Sequence, residues 1–325
     1  MLCKSWSLTT LAALTLSAAP LLAHAADWPG DRPVRVVVPA SAGGSADTLV
    51  RPLAQAMSEV SGGNFIVENR GGAAGMIGAD NVAKSDPDGY SMLVGAVHHA
   101  ILPLVYKTPY DTATDLRPIA LFSTVPNVVL VHKDAPYQTL EELIAYAKAN
   151  PGELNYGTGG KGTLHHLTTE AFKKATGTQM EAVHYKGSGP AINDLLGQQI
   201  QLMFETMPSA LGQIRGGTLR ALAVTSPERS FALPDVPTLA ESGVPDLAVT
   251  TWYGFFAPGK LPDDIAQKMR QITLDALKTE KIQALWKDYG ATADGEGSDD
   301  FPAFVTSELE RWQAIAQEAG LSPES

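Results

Sequence analysis

Two glycine-rich loops, more than a hundred residues apart, restrict the fold of this 325-residue chain most strongly. VVVPASAGGSAD at 36–47 and NYGTGGKGTLHH at 155–166 each join a strand-like run to a helix-like one. Such loops expose backbone N–H groups that an anion can approach where side chains are absent. A glycine turn chosen only for its dihedral angles is the alternative for either loop alone. Together they predict two sheet ends facing across a cleft, where open α/β sheets bind ligands.

The hydrophobic pattern alternates between strand-like and helix-like segments, which predicts an α/β fold with mostly parallel sheets and flanking helices. Pro52 interrupts the first helix pattern, so we expect that helix to start late or to kink. The predicted strands are 35–39, 65–67, 91–94, 127–131, 154–156, 201–204 and 219–225. The predicted helices are 48–60, 74–84, 139–150, 164–175, 191–196, 263–278 and 300–319.

The first 25 residues have the pattern of a cleavable signal peptide, with Lys4, an apolar stretch at 8–22 and Ala23-His24-Ala25 before the expected cleavage point. The chain is therefore predicted to be exported to the periplasm. Its one cysteine, Cys3, lies in the segment to be removed, so we expect no disulfide. A formal net charge of −11 argues against nucleic acid or anionic lipid as the main partner.

Several catalytic and cofactor patterns are incomplete. Gly157, Gly159 and Gly162 match a dinucleotide-binding fingerprint, but the preceding strand is short and the motif lies in mid-chain. A phosphate loop needs Ser or Thr after Lys161, where this chain has Gly162. The histidine pairs at 98–99 and 165–166 lack the spacing of a helical zinc site, and the hydrolase elbow G-x-S-x-G is absent. We therefore predict no cofactor, metal or catalytic residue.

A series of motifs in order resembles the Bug-type extracytoplasmic solute-binding proteins, the substrate-binding components of tripartite tricarboxylate transporters. They are PASAGGSAD, ENRGGAAGMIG, DPDGYSMLVG, YGTGGKGTLHHL, YKGSGPAINDLLG, GGTLRALAVTSPERSFALPDVPTLAESG and WYGFFAPGKLP. The resemblance covers nearly the whole chain after the signal peptide, and it aligns His166 with the family histidine. His184, Gln198, Gln201 and Glu205 depart from the usual family residues, and they and Lys161 are candidates for setting specificity.

The resemblance implies a two-lobe periplasmic binding protein fold of type II, with lobe 1 from 26–129 and 252–325 and lobe 2 from 130–251. Strands at 126–131 and 249–252 would form the hinge. The family binds small carboxylated solutes between the lobes, often without an arginine, and presents them to membrane permease subunits. A monomer is expected. The ligand-binding residues predicted are Ser41, Ala42, Gly43, Gly44, Ser45, Asp47, His98, His99, Thr158, Gly159, Gly162, Thr163, His166 and Glu205.

Two other functions stay open from the sequence. A ligand sensor for a signalling kinase would use the same cleft with a different partner. An exported hydrolase would use His166 or His99 as a base. The aromatic cluster at 252–256 is expected in the core, and Asp47 is expected to cap the helix start rather than contact a carboxylate that it would repel.

Overall fold

The computed structural model describes residues 28–245, 247–292 and 300–318, with side chains as far as 313. The predicted signal peptide at 1–25 lies outside these residues. The strands are β1 (Val34–Val38), β2 (Phe65–Asn69), β3 (Ser91–Ala96), β4 (Leu116–His132), β5 (Asn155–Thr158), β6 (Glu181–His184), β7 (Leu202–Thr206), β8 (Leu219–Val224) and β9 (Thr250–Pro258). The helices are α1 (Ser45–Ser61), α2 (Met76–Ala83), α3 (His98–Val105), α4 (Leu140–Ala149), α5 (Leu164–Thr176), α6 (Ser188–Leu196), α7 (Met207–Arg215), α8 (Asp263–Leu277), α9 (Glu280–Tyr289) and α10 (Phe301–Glu318). None of the helices described is long and apolar enough to cross a membrane.

The strands form two half-sheets with the same order. The first is β2-β1-β3-β9-β4 and the second is β6-β5-β7-β4-β8. The first three strands of each half are parallel, as predicted, whereas all pairings of β4 and β9 are antiparallel. The parallel strands run towards the cleft and end there. Strand β4 runs away from the cleft in the second half-sheet, and β9 runs away from it in the first, so both are antiparallel to their neighbours.

Strand β4 changes partners at one point along its length. As far as Pro126 it pairs with β9, and from Asn127 it pairs with β7 and β8. We name the described residues 28–126 and 250–318 lobe 1, and 127–249 lobe 2. The change of partners comes three residues before the lobe limit predicted at 129, and the predicted limits of the domains stay a prediction.

Each half-sheet has an apolar cluster on both faces. In β1, Val34, Val36 and Val38 face the cluster formed with α1, α8 and α9, whereas Val37 faces the cluster with α2, α3 and α10. The alternation follows from the two-residue period of a strand covered by helices on both sides. Lobe 2 is built in the same way around β5 and β7. The aromatic cluster at 252–256 is buried as expected, each of its four rings being at most 6% exposed.

Some elements differ from the sequence-based prediction. Helix α1 begins at Ser45 rather than at 48 and contains Pro52 in its interior without ending there. Helices α3, α7 and α9 and strand β6 were not among the predicted elements, and β4 before 126 and β9 after 252 were not predicted either. Helix α3 has only eight residues and contains Pro103, a residue that normally indicates a helix end, so its sequence does not predict a helix. Strand β6 is an edge strand with mostly exposed residues, so it lacks the apolar pattern of a buried strand.

Candidate functional site

A cavity of about 120 Å³ lies between the lobes where the helices begin. Four helix N-termini reach it, because residues at the starts of α1, α3, α5 and α6 line its wall. The first N–H groups of a helix have no intrahelical acceptor and carry a partial positive charge. The lining residues are Pro39, Ala40, Gly44, Ser45, Ala46, Gly72, Ala73, Ala74, Gly75, Ala96, Val97, His98, Gly159, Thr163, Leu164, His165, Tyr185, Lys186, Gly187, Ser188, Thr251 and Tyr253.

The first glycine loop contributes its two ends to this wall but not its middle. Pro39 and Ala40 before the bend and Gly44 and Ser45 after it line the cavity, whereas the residues 41–43 line a separate groove against α6 and α7. The N–H of Gly43 donates to Asp47 Oδ2 at 3.1 Å, so that amide already has an acceptor. A ligand would meet the start of α1 rather than the whole loop.

Asp47 lies under the first loop, 6% exposed. Although burial opposes it, hydrogen bonds from Arg51, Gly43 and Asn69 lower the pKa of its carboxyl group. The carboxylate thus holds the loop in place from inside α1 and does not line the cavity.

The second glycine loop is built on the same plan. The N–H of Gly162 donates to His166 Nδ1 at 3.1 Å, four residues on, as Gly43 donates to Asp47. Thr158 is fully buried behind the loop, and its hydroxyl accepts from Gly160 N–H. Of the four residues predicted here before the helix, Gly159 and Thr163 line the cavity, and Thr158 and Gly162 do not.

The histidines of the two pairs have different surroundings. His98 lines the cavity, while His99 is 2% exposed in lobe 1 and its Nδ1 accepts from Ala96 N–H at 3.1 Å. Burial, then the charges of His99 and His165, hold the pKa of His98 well below its usual range. Burial lowers the pKa of His99 to about 4, against the hydrogen bond to Ala96. His165, not the expected His166, lines the cavity in the second pair.

His166 lies outside the cavity and stabilises the second glycine loop by a hydrogen bond. Burial, then the nearby His184, lower the pKa of His166 to about 4, so the ring is neutral and its Nδ1 accepts from the loop. The rings of His166 and His184 pack edge to face at 4.8 Å. Among the described residues, no three His, Cys, Asp or Glu side chains are placed to hold a metal ion.

Glu205 lies beneath the cavity wall and does not line it. Its side chain is 1% exposed, and Oε1 accepts from the hydroxyls of Thr206 at 2.8 Å and Ser209 at 2.9 Å. Ser45 of lobe 1 joins the same group: its Oγ accepts from Ser209 N–H at 3.0 Å and is hydrogen-bonded to Thr206 Oγ1. Ser45, predicted as a ligand contact, therefore also connects the two lobes.

Direct contacts between the lobes bridge the cleft in this structure. The N–H of Ser41 donates to Lys186 O at 3.3 Å, and the Tyr106 hydroxyl donates to Lys161 O at 3.2 Å. A Cβ on Gly189 would lie 2.4 Å from Ala42 O, so only glycine fits there. The contact requires the glycines of the Gly187–Gly189 segment, which the sequence analysis named only as part of a motif.

Sequence reasoning missed a second part of the wall, the turn at 72–75. Ala73 and Ala74 have φ angles of 47° and 52°, a left-handed conformation that is uncommon for alanine. A Cβ on Gly75 would lie 3.2 Å from His98 Nε2, so the turn packs directly against the cavity histidine. The signal available was the repeated glycine in GGAAG, a stretch that also carries part of the family resemblance.

Comparison with known proteins identifies the family. A family model described as the tripartite tricarboxylate transporter family receptor matches residues 49–321. The chain belongs to this receptor family. It is 37% identical over 293 residues to the protein BugT of Bordetella pertussis, a match that covers 89% of this chain and 90% of BugT. The Bug-type assignment made from the sequence motifs is thereby confirmed.

Solved structures show the same fold for this receptor. A Rhodopseudomonas palustris protein, Rpa4515 with adipate, is 37% identical with a TM-score of 0.86, and the match covers 92% of this chain and 100% of that one. MatC of the same organism, with bound malate, is 30% identical with a TM-score of 0.83, over 88% and 99% of the two chains. The predicted two-lobe periplasmic binding protein fold is confirmed.

Proposed function

We propose that this receptor binds a small carboxylate, of the dicarboxylate class, in the cavity between its lobes. The observation that carries the proposal is the convergence of four helix N-termini, those of α1, α3, α5 and α6, on one cavity. Each N-terminus presents N–H donors and a partial positive charge, and hydrogen bonds from such donors to a carboxylate are about twice as strong as neutral ones. The cavity can therefore hold an anion without an arginine in its wall.

The size of the cavity and the relatives support the same class of ligand. A volume of about 120 Å³ suits a small metabolite rather than a peptide or a polymer. The two solved relatives hold adipate and malate, both small dicarboxylates. Adipate and malate are thus the first compounds to test on this chain.

Binding is proposed to work by closure of the lobes. Strands β4 and β9 connect the lobes, and Ser41, Ser45 and Gly189 contact the opposite lobe in this structure, contacts that opening of the cleft would break. An open form would admit the carboxylate, and the ligand would shift the population towards the closed form. The closed form in the periplasm would then be recognised by the membrane subunits of a tripartite transporter.

The alternatives are less well supported by the geometry. The hydrolase would need His99 or His166 in the cavity as a base, and neither lines it. The protein is accordingly proposed to carry out no covalent chemistry. A sensor kinase would recognise the same closed form as a permease, and this partner, like the monomeric state, stays a prediction.

The test is to identify what the protein binds. Small molecules released by denaturing the purified mature protein are identified by mass spectrometry, and calorimetric titrations follow with adipate, malate and the monomethyl ester of adipate. We expect saturable binding of a dicarboxylate with one site per chain, weakened when one carboxylate is esterified. Binding of a cationic or uncharged solute instead, with none of the dicarboxylates, would contradict the proposal.

A further inference from the structure

The hydrogen bonds of Asn127 fix which way its side-chain amide points. The Thr225 hydroxyl donates to Val249 O, so its oxygen accepts from Asn127 Nδ2 at 3.3 Å. Asn127 Nδ2 also donates to Val249 O at 3.2 Å. A flipped amide would place its oxygen against that carbonyl. Oδ1 therefore faces the opposite way, where it accepts from the Thr251 hydroxyl at 2.7 Å.

The orientation of Asn127 in turn fixes a proton on His165. Nε2 of His165 lies 3.1 Å from Asn127 Oδ1, an acceptor only, so Nε2 carries a hydrogen. The other ring nitrogen, Nδ1, lies 3.7 Å from Glu205 Oε2. If Nδ1 had no hydrogen, its lone pair would face the oxygen of a buried carboxylate.

The buried carboxylate needs a positive partner at that point. Glu205 Oε2 is buried and has no hydrogen-bond partner in the described part of the chain, while Oε1 accepts from two hydroxyls. An ionised carboxylate that is 1% exposed is costly unless a counter-charge lies nearby. The ring of His165, 3.7 Å from Oε2, is in position to supply that charge.

We propose that His165 is an imidazolium ion paired with the Glu205 carboxylate, and that this ring, in addition to Lys186, is a cationic group of the cavity wall that favours anions. Nε2–H donates to Asn127, and Nδ1 faces Glu205 at 3.7 Å, a charge contact longer than a hydrogen bond, so the ring acts on a ligand through its charge. His98 across the cavity stays neutral, because burial and the neighbouring histidines disfavour its charged form. The predicted effect on anion binding rests on the proposed function, whereas the ion pair itself does not depend on it.

The pair also links the cavity to the lobe contacts. Glu205 Oε1 accepts from Thr206, whose hydroxyl is hydrogen-bonded to Ser45 of lobe 1. Through His165 the same carboxylate reaches Asn127 on β4 and Thr251 on β9, the two connecting strands. His165 is thus a specificity-determining residue, and Glu205 is a positioning residue that acts through it.

The decisive measurement is the protonation state of His165 in the unliganded mature protein. Long-range ¹H–¹⁵N spectra at pH 7, with ¹⁵N-labelled histidine, distinguish an imidazolium from a neutral ring. We expect two protonated nitrogens on His165 in the wild type and in Glu205→Asp, and a neutral ring protonated on Nε2 in Glu205→Gln. His165→Gln assigns the signal, and single variants of the other histidines assign it by elimination if that variant does not fold.

Binding is measured separately by titration with adipate. Glu205→Gln should bind adipate about fivefold to tenfold more weakly than the wild type, because the ring loses its positive charge at the cavity wall while the negative charge that is lost with it lies farther from the ligand. Glu205→Asp should recover most of the affinity, and Glu170→Gln, a change in lobe 2 outside the cavity wall, should leave it unchanged. A neutral His165 in the wild type, or an unchanged imidazolium in Glu205→Gln, overturns the inference. If the wild type binds no dicarboxylate, the proposed function fails while the spectra still decide the ion pair.

Discussion

Replacing Gly189 by alanine should weaken ligand binding without destabilising the unliganded protein. The new Cβ would lie 2.4 Å from the backbone oxygen of Ala42 in the other lobe, and ordinary contact begins at 3.4 Å, so the closed lobes must move apart by about 1 Å at this point. Overpacking of this kind costs about 1–3 kcal/mol. In the proposed closure mechanism the open form lacks this clash, so the cost should appear in binding, as about a 5-fold to 150-fold loss of affinity.

The open form has no reason to suffer from the same change. Gly189 lies in the first turn of α6, where its backbone needs no positive φ, and alanine is a better helix former by up to about 1 kcal/mol. The assay is calorimetric titration with the carboxylate that the wild type binds, together with thermal unfolding of the unliganded protein. Gly212→Ala is the matched control, since a Cβ there meets nothing within 4 Å. Wild-type affinity in Gly189→Ala would refute the reasoning that ligand binding requires this contact.

Three further changes test other parts of the structure. Ser45→Ala removes the hydroxyl that joins the lobes at the start of α1 and should weaken binding about tenfold by titration, since buried partners lose a hydrogen bond. Burial lowers the pKa of His99 to about 4, whereas in the unfolded chain this pKa has its ordinary value of about 6.5, so protonation favours the unfolded state. The free energy of unfolding should therefore fall by about 3 kcal/mol as the pH drops from 7 to 4. His99→Asn, which can still accept from Ala96 N–H, should lose correspondingly less stability over that range in urea unfolding at pH 7 and pH 4; an equal loss would exclude His99 as the cause. Trp286→Phe leaves the Phe122 carbonyl without its 3.1 Å donor and should lower the free energy of unfolding by about 1–3 kcal/mol, and no change would contradict that role.

The sequence predicted those parts of the fold that depend on local pattern. Apolar runs such as 35–39 and 91–94 identified the central strands, because a strand covered on both faces is apolar throughout. The two glycine loops were expected to face each other across a cleft, and the starts of α1 and α5 do meet at the cavity. The directions of β4 and β9 depend on which lobe each strand enters. A local sequence pattern cannot predict this, because it depends on the order in which the chain passes between the lobes.

The site was harder to predict, for two physical reasons. Asp47 and His166 look like site residues because they follow the glycines closely, yet each accepts the N–H four residues before it and so stabilises its own loop. His165, one position earlier on the same helix, points about 100° away and reaches the cavity instead. The turn at 72–75 and the segment at 187–188 come to the cavity only through long-range packing, which requires the assembled fold.

The exchange of partners along β4 has a consequence for protein engineering. Pro126 and Thr250 are direct partners in the antiparallel pair of β4 and β9, so the chain leaves lobe 1 and re-enters it on neighbouring strands. Such partners are about 5 Å apart, close enough for a two-residue hairpin to join them. Lobe 2 thus has the connectivity of an insertion in lobe 1, and we expect that it could be exchanged for that of another receptor to make chimaeric biosensors.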